Sequence, residues 1–254
     1  MMNILSCNIG SYGKYRDRAY EHLAKIGVKH VEIGAPAVAD AEKVREELAR
    51  YGLTATTVSA GCDVADENVA KNFAPAVDSA GIMGARVIFT SVHAGELDKS
   101  IVYDRLRQVG DVAAKKGIKV AMETHPDLIH NGDIALETMR GVNHPNIRVN
   151  FDTGNIYFYN EGKTAHDEVK KIAEYVASVH LKETDGKPRS WCFSTFGTGV
   201  VDFAKVFQIL NGVGFHGPFT MEIEGCHGEN LTKEETERRV AESVEHLRKL
   251  GCID

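Results

Sequence analysis

The stretch VNFDTGN, residues 149–155, ends an apolar run on a carboxylate. Within the longer segment IRVNFDT (147–153), Ile147, Val149 and Phe151 alternate with Arg148, Asn150 and Asp152, the two-residue period of an extended strand. Asp152 therefore stands at the C-terminal tip of a strand. What a carboxylate does there depends on the fold that the rest of the chain builds around it.

Seven more segments have strand character. NILSCN (3–8), KHVEIG (29–34), LTATTVS (53–59), ARVIFTS (85–91) and IKVAMET (118–124) come before it, and VASVHLKE (176–183) and PFTMEIE (218–224) after it. Longer, charged, amphipathic segments separate them. AEKVREELARYG (41–52) and IVYDRLRQVGDVAAKKG (101–117) each end in the glycine that a left-handed helix cap favours. A last helix is expected over TKEETERRVAESVEHLRKLG (232–251), with Thr232 as its N-cap. Eight strands each followed by a helix, with no low-complexity linker, predict an α/β fold, a (β/α)8 barrel forming a single domain over 1–254. The competing architecture is an open doubly wound sheet. It usually carries a glycine-rich nucleotide turn after its first strand, and CNIGSYGKYRDRA (7–19) contains no GxGxxG.

Composition narrows the partners. The 254 residues are 43% hydrophobic and 26% charged, which suits one sizeable core. A formal net charge of −6 gives no basic excess for holding a phosphate backbone, so nucleic acid is not expected as a partner. No apolar run approaches the roughly 18 residues of a membrane span. The opening MMNILSCNIG lacks a charged n-region and a cleavage site and reads as the first strand. Five scattered cysteines without CxxC spacing predict reduced thiols and a cytoplasmic protein. Cys7 and Cys62 fall near strand ends but beside no activating base, and read as small core residues.

In a barrel of this type chemistry gathers at the C-terminal ends of the strands. From the fifth strand onward those ends read Glu123 with His125, Asp152, His180 with Lys182, and Glu222 with Glu224. Taken singly, an acidic residue at a strand end caps the next helix or pairs with a neighbouring lysine. Glu123, Asp152, His180 and Glu222 on four consecutive strands point elsewhere. Converging carboxylates repel and lose hydration unless a cation compensates. Three carboxylates and an imidazole suit Mn²⁺, Mg²⁺ or Co²⁺ better than an all-sulfur zinc site does.

The segments AMETHP (121–126), VNFDTGN, VHLKE (179–183), FGTGVVDF (196–203) and GPFTMEIEG (217–225) resemble the xylose-isomerase-like TIM-barrel superfamily of sugar isomerases and epimerases. Its members include D-tagatose 3-epimerase, hydroxypyruvate isomerase, inosose dehydratase and the endonuclease IV branch. The resemblance implies that Glu123, Asp152, His180 and Glu222 bind one divalent metal, Mn²⁺ first, with Mg²⁺, Co²⁺ or Zn²⁺ as alternatives. It also implies that Glu123 and Glu222 are the catalytic pair. Glu224 shares a strand face with Glu222 and competes for the last ligand position. Two departures are informative. After the seventh strand HLKETDGKPRSWCFSTFG (180–197) lacks the extra metal-binding histidines of endonuclease IV, which counts against a nuclease. Asn155 stands where the epimerases of the family place a substrate-binding histidine, and the local counterpart of their substrate-gripping arginine falls near Gly186, which implies a changed substrate.

The expected function is a metal-dependent isomerase or epimerase acting on a keto sugar or keto-glycoside through an ene-diolate. A lyase or dehydratase on the same scaffold is the alternative, and a non-catalytic barrel subunit the third. His125, Asn155, Lys182, His93 and Trp191 are the candidate substrate contacts. For Trp191, covering a sugar ring competes with packing on the rim. NIYFYNEG (155–162) reads as rim packing. No glycine-rich phosphate loop is present, which favours an unphosphorylated small-molecule carbohydrate. A homo-oligomer or a partner subunit remains open.

Overall fold

The computed structural model describes residues 2–253. Eight parallel strands close into a barrel in chain order. They are β1 (Leu5–Asn8), β2 (His30–Gly34), β3 (Thr54–Ser59), β4 (Val87–Thr90), β5 (Lys119–Glu123), β6 (Ile147–Asp152), β7 (Val176–Leu181) and β9 (Phe219–Met221). The last of these pairs with both β7 and β1 and completes the circle. Two short strands, β8 (Cys192–Phe193) and β10 (Gly225–Cys226), form a separate antiparallel pair. The barrel predicted from the alternating segments is the observed fold.

Helices connect the strands: α1 (Ala19–Lys25), α2 (Ala41–Arg50), α3 (Val69–Met83), α4 (Lys99–Ala114) and α5 (Gly132–Val142) in the first half. The second half has α6 (Thr153–Tyr159), α7 (Ala165–Ile172), α8 (Phe203–Gly212) and α9 (Lys233–Lys249). Gly52 and Gly117, just beyond α2 and α4, take φ of 70° and 67°, the left-handed conformation that stops a helix cheaply only at glycine. Thr232 caps α9 in a reciprocal box: its Oγ1 accepts from Glu235 N, and Glu235 Oε2 accepts from Thr232 N. Among the described residues no helix is long and apolar enough to cross a membrane.

Apolar packing lies between strands and helices, where residues such as Val120, Met122, Phe151, Leu181 and Leu106 are fully or almost fully buried. Each such side chain contributes about 1.5–3 kcal/mol on burial. The inside of the barrel is different. Ser6, Glu32, Asn150, Asp152, Ser178 and His180 are all at 0% exposure. Some of them pair with one another, as where Ser178 Oγ donates to Asn150 Oδ1 at 2.6 Å. Register shifts interrupt the ladders at two points, Val31/Glu32 against β3 and Val149/Asn150 against β7. The second sets Asp152 opposite His180.

Three features depart from the sequence-based expectation. The first crossover starts as a 3₁₀ run, Ile9–Arg18, broken at Gly13 (φ 53°), before α1. The final strand stops at Met221, because Ile223 N gives its hydrogen to Ser11 Oγ and not to a neighbouring strand. The cysteines are not all reduced: Cys192 and Cys226 form a disulfide, while Cys7, Cys62 and Cys252 are free and buried. The antiparallel register of β8 and β10 places the two bonded cysteines directly opposite. A two-residue ladder joining positions 34 apart leaves no periodic trace in sequence.

Candidate metal centre

The two-residue period of the strands carries the lumen-facing positions outward to the mouth. Asn150 leads to Asp152, Ser178 to His180 to Lys182, and Thr220 to Glu222 to Glu224. One ligand atom each from Glu123, Asp152, His180 and Glu222 lies within 4.8 Å of all the others. His180 Nδ1 is 3.0 Å from Glu123 Oε1, 3.2 Å from Glu222 Oε2 and 3.9 Å from Asp152 Oδ2. An octahedral ion with bonds of about 2.1 Å places adjacent donors about 3 Å apart and opposite ones about 4 Å apart. The observed separations fit that spacing.

Asp152 divides its two oxygens. Oδ1 accepts from Gly154 N at 2.8 Å and Asn155 N at 2.9 Å and so caps α6. Oδ2 points to the other donors and has no hydrogen-bond partner. The helix-cap and ligand geometries thus coexist in one carboxyl group. Glu123 Oε2 accepts from Ser91 Oγ at 2.8 Å and lies 2.8 Å from His125 Nδ1, leaving Oε1 toward His180. Glu222 belongs to the group of four. Glu224 instead accepts from Lys182 Nζ at 2.8 Å.

Lys182 is buried in the middle of this ring, with Nζ 2.7 Å from Glu222 Oε2 and 3.0 Å from Asp152 Oδ2. Its hydrogen bond is directed to Glu224, while Asp152 Oδ2 and Glu222 Oε2 meet the ammonium as ion pairs and have no hydrogen-bond partner. Gly154 makes room for the lysine stem, since a Cβ there would come within 2.8 Å of Lys182 Cγ.

Charge is unbalanced. Glu32, Glu123, Asp152, Glu222 and Glu224 face two imidazoles, His180 and His125, and one ammonium. Burial pushes the Asp152 carboxyl up to about 6, with the charges of Glu222 and Glu123 adding to it and Lys182 opposing. Burial acts the same way on Glu222, but the charges of His180 and Lys182 outweigh it and hold that group at about 2. For His180 burial works against the proton, yet Glu222 and Glu32 keep the imidazolium well above the ordinary histidine range. Carboxylates in such excess, two of them with oxygens that have no hydrogen-bond partner, make this a candidate cation site by donor chemistry.

The remaining sequence-predicted residues divide. His125 packs edge-on against His93 and at a tilt against Tyr159, with ring centroids 5.8 and 5.5 Å away. His93 is exposed and its Nδ1 lies 2.7 Å from Pro126 O. Tyr159 continues through Phe158 to Trp191, an aromatic wall beside the mouth. Trp191 is 48% exposed, with its ring edge-on to Phe193. Asn155 Nδ2 donates to Thr124 O and ties α6 to the end of β5. Sequence reasoning missed Glu32, Asn8 and Ser91. A signal existed for the first: Glu32 interrupts the apolar pair Val31 and Ile33, so it faces the lumen if they face the helices.

The glycine-rich FGTG (196–199) also gains a physical account. Glu183 Oε1 accepts from Thr184 N and Val201 N, and Oε2 from Gly197 N, all at 2.9–3.0 Å. The chain passes so close that a Cβ at Gly199 would lie 2.1 Å from Thr184 O. One carboxylate therefore shapes the loop that carries Trp191.

Comparison with known proteins agrees with this architecture. Inosose dehydratase from Geobacillus thermodenitrificans is 24% identical over 82% of each chain. An L-ribulose-5-phosphate 3-epimerase from Salmonella paratyphi A is 29% identical over 138 residues, 54% of this chain and 47% of that one. Among solved structures, D-allulose 3-epimerase from Methylomonas sp. superposes with a TM-score of 0.76 at 20% identity, covering 98% of both chains. The profile of the xylose isomerase-like TIM barrel family matches residues 20–250. A match over nearly the whole closed barrel, including every strand that supplies a donor, makes this chain a member of the xylose isomerase-like TIM barrel family.

Proposed function

We propose that this protein is a divalent-metal-dependent isomerase or epimerase of a keto sugar or keto-glycoside. The observation that carries the reading is the excess of carboxylates at the barrel mouth, with oxygens of Glu123, Asp152 and Glu222 that converge with His180 Nδ1. Glu123, Asp152, His180 and Glu222 would hold the ion, with Mn²⁺ preferred for a donor set of three carboxylates and an imidazole. Such an ion, when bound, supplies Lewis-acid polarisation of a substrate carbonyl.

The chain's own groups do the proton work. Glu123 reaches the mouth from β5 and Glu222 from beyond β9, with two strands between them, so a substrate at the mouth meets a carboxylate on either side. One takes the proton from the carbon beside the carbonyl, leaving an ene-diolate, and the other returns it. Return to the same carbon on the opposite face is epimerisation, and return to the neighbouring carbon is isomerisation. Lys182 offers an ammonium to a substrate oxygen, and the wall of His125, Tyr159 and Trp191 offers a face to a sugar ring. The test is exchange of substrate C–H for deuterium in D₂O. Exchange that requires added metal and disappears in Glu222→Gln supports the reading. No exchange with any ketose or 3-keto-glycoside overturns it.

A dehydratase is the second reading. It draws on the likeness to inosose dehydratase and on His125, which sits 2.8 Å from Glu123 as an acid able to protonate a departing hydroxyl. Growth of an enone absorbance during turnover would favour it over the first.

A further inference from the structure

Around the four donors, one contact has no part in the proton transfer described above. Glu32 on β2 is fully buried and meets His180, 148 residues away on β7, across the lumen. Its Oε1 lies 2.9 Å from His180 Nε2 and accepts from Asn8 Nδ2, also at 2.9 Å. Its Oε2 has no hydrogen-bond partner. Burying a carboxylate with an unsatisfied oxygen is costly, and a hydrophobic or amide side chain would avoid the cost. Asn8 also reaches Glu222 Oε1 at 3.5 Å, so one amide touches both this carboxylate and a member of the donor ring.

The two ring nitrogens of His180 are in opposite situations. Nδ1 faces Glu123, Asp152 and Glu222, while Nε2 faces Glu32. Both nitrogens face carboxylates, which can only accept, so in the metal-free protein Nε2 can give a hydrogen to Glu32 Oε1 and Nδ1 one to Glu123 Oε1. An ion among the four donors would take the place of the Nδ1 hydrogen and leave the Nε2 hydrogen on Glu32. Phe89 lies edge-on to the imidazole, with centroids 4.5 Å apart, and restricts its rotation. Metal-binding histidines are commonly oriented by such a carboxylate behind the ring. We infer that Glu32 is the positioning residue of this centre: it holds His180 with Nδ1 as the metal-facing nitrogen, and Asn8 holds Glu32 in turn. This rests on the metal-dependent reading proposed above.

The test compares Mn²⁺ affinity, by titration of metal-free protein, in wild type, Glu32→Gln, Glu32→Ala and Asn8→Ala. Loss of a carboxylate behind a ligating histidine weakens metal binding by about 10–100-fold, and that is the expected effect of Glu32→Ala. Glu32→Gln keeps an oxygen that accepts the same bond and should bind close to wild type. Asn8→Ala should fall between them. A measurement on wild type alone guards against a variant that does not fold. Long-range ¹H–¹⁵N spectra of protein loaded with diamagnetic Zn²⁺ should show His180 protonated at Nε2 and coordinated through Nδ1. Coordination through Nε2, or a folded Glu32→Ala that binds Mn²⁺ as tightly as wild type, overturns the inference and leaves the metal-dependent function standing. Wild type that binds neither ion overturns both.

Discussion

A single carboxyl group at residue 152 shows how local and long-range demands meet in one side chain. Oδ1 caps α6, a role that a short polar side chain at the end of a strand predicts, and Oδ2 joins the donor group. The two roles separate by substitution. Asp152→Asn retains a capping oxygen and should unfold in urea with about 1 kcal/mol more stability than Asp152→Ala. Both should lose bound Mn²⁺. Equal stabilities would show that the cap contributes nothing. Asp152 and its three companions were legible because each follows an apolar run on a strand whose end is a known place for chemistry. Glu32 was not, because its partner is reached only by crossing the closed lumen. Asn155 is a candidate substrate contact through the resemblance to the epimerases, and its position in the sequence does not reveal that its amide donates to the Thr124 carbonyl.

Strands of period two and helices ending in glycine made most of the elements legible, and Thr232 starts α9 where the sequence places it. The illegible ones share a cause: they are shaped by contacts between segments and not by periodicity. The 3₁₀ run after β1, the two-residue strands β8 and β10, and the disulfide joining them all belong to this class. The loop after β7 is its clearest member. Its conformation hangs on Glu183, buried and accepting three backbone hydrogens. Glu183→Ala would strand three donors at about 1 kcal/mol or more each, so a loss of about 3 kcal/mol in urea-unfolding stability is expected. Trp191 fluorescence should shift toward that of solvent-exposed tryptophan at the same time. An unchanged midpoint would mean that the loop is held by something else.

Across the whole molecule the proposed centre would couple metal binding to protons. His180 holds a proton well above the usual imidazole range in the metal-free protein, and an ion that takes Nδ1 must expel it. Asp152, raised to about 6, takes up a second proton as the pH falls through that value. Both groups bind protons more readily in the metal-free state, so both favour the ion at higher pH. Glu222, held at about 2, stays ionised throughout. Mn²⁺ affinity should therefore rise about tenfold per pH unit near neutrality and more steeply below pH 6. Titrations from pH 5 to 8 would measure this, and a flat profile would contradict the charge arrangement. The overall barrel was legible for a global reason: a strict alternation of strand and helix over this length leaves few ways to cover both faces of a parallel sheet.

The order of the donors along the chain also sets a schedule. Glu123, Asp152 and His180 are made before Glu222, and β9, the strand that leads to Glu222, is also the stave that closes the barrel against β1. During synthesis a nascent chain thus holds an incomplete ring of donors until its last stave is in place. Capture of an ion by the full set would then mark a finished barrel, because the same event that seals the wall brings in the final donor.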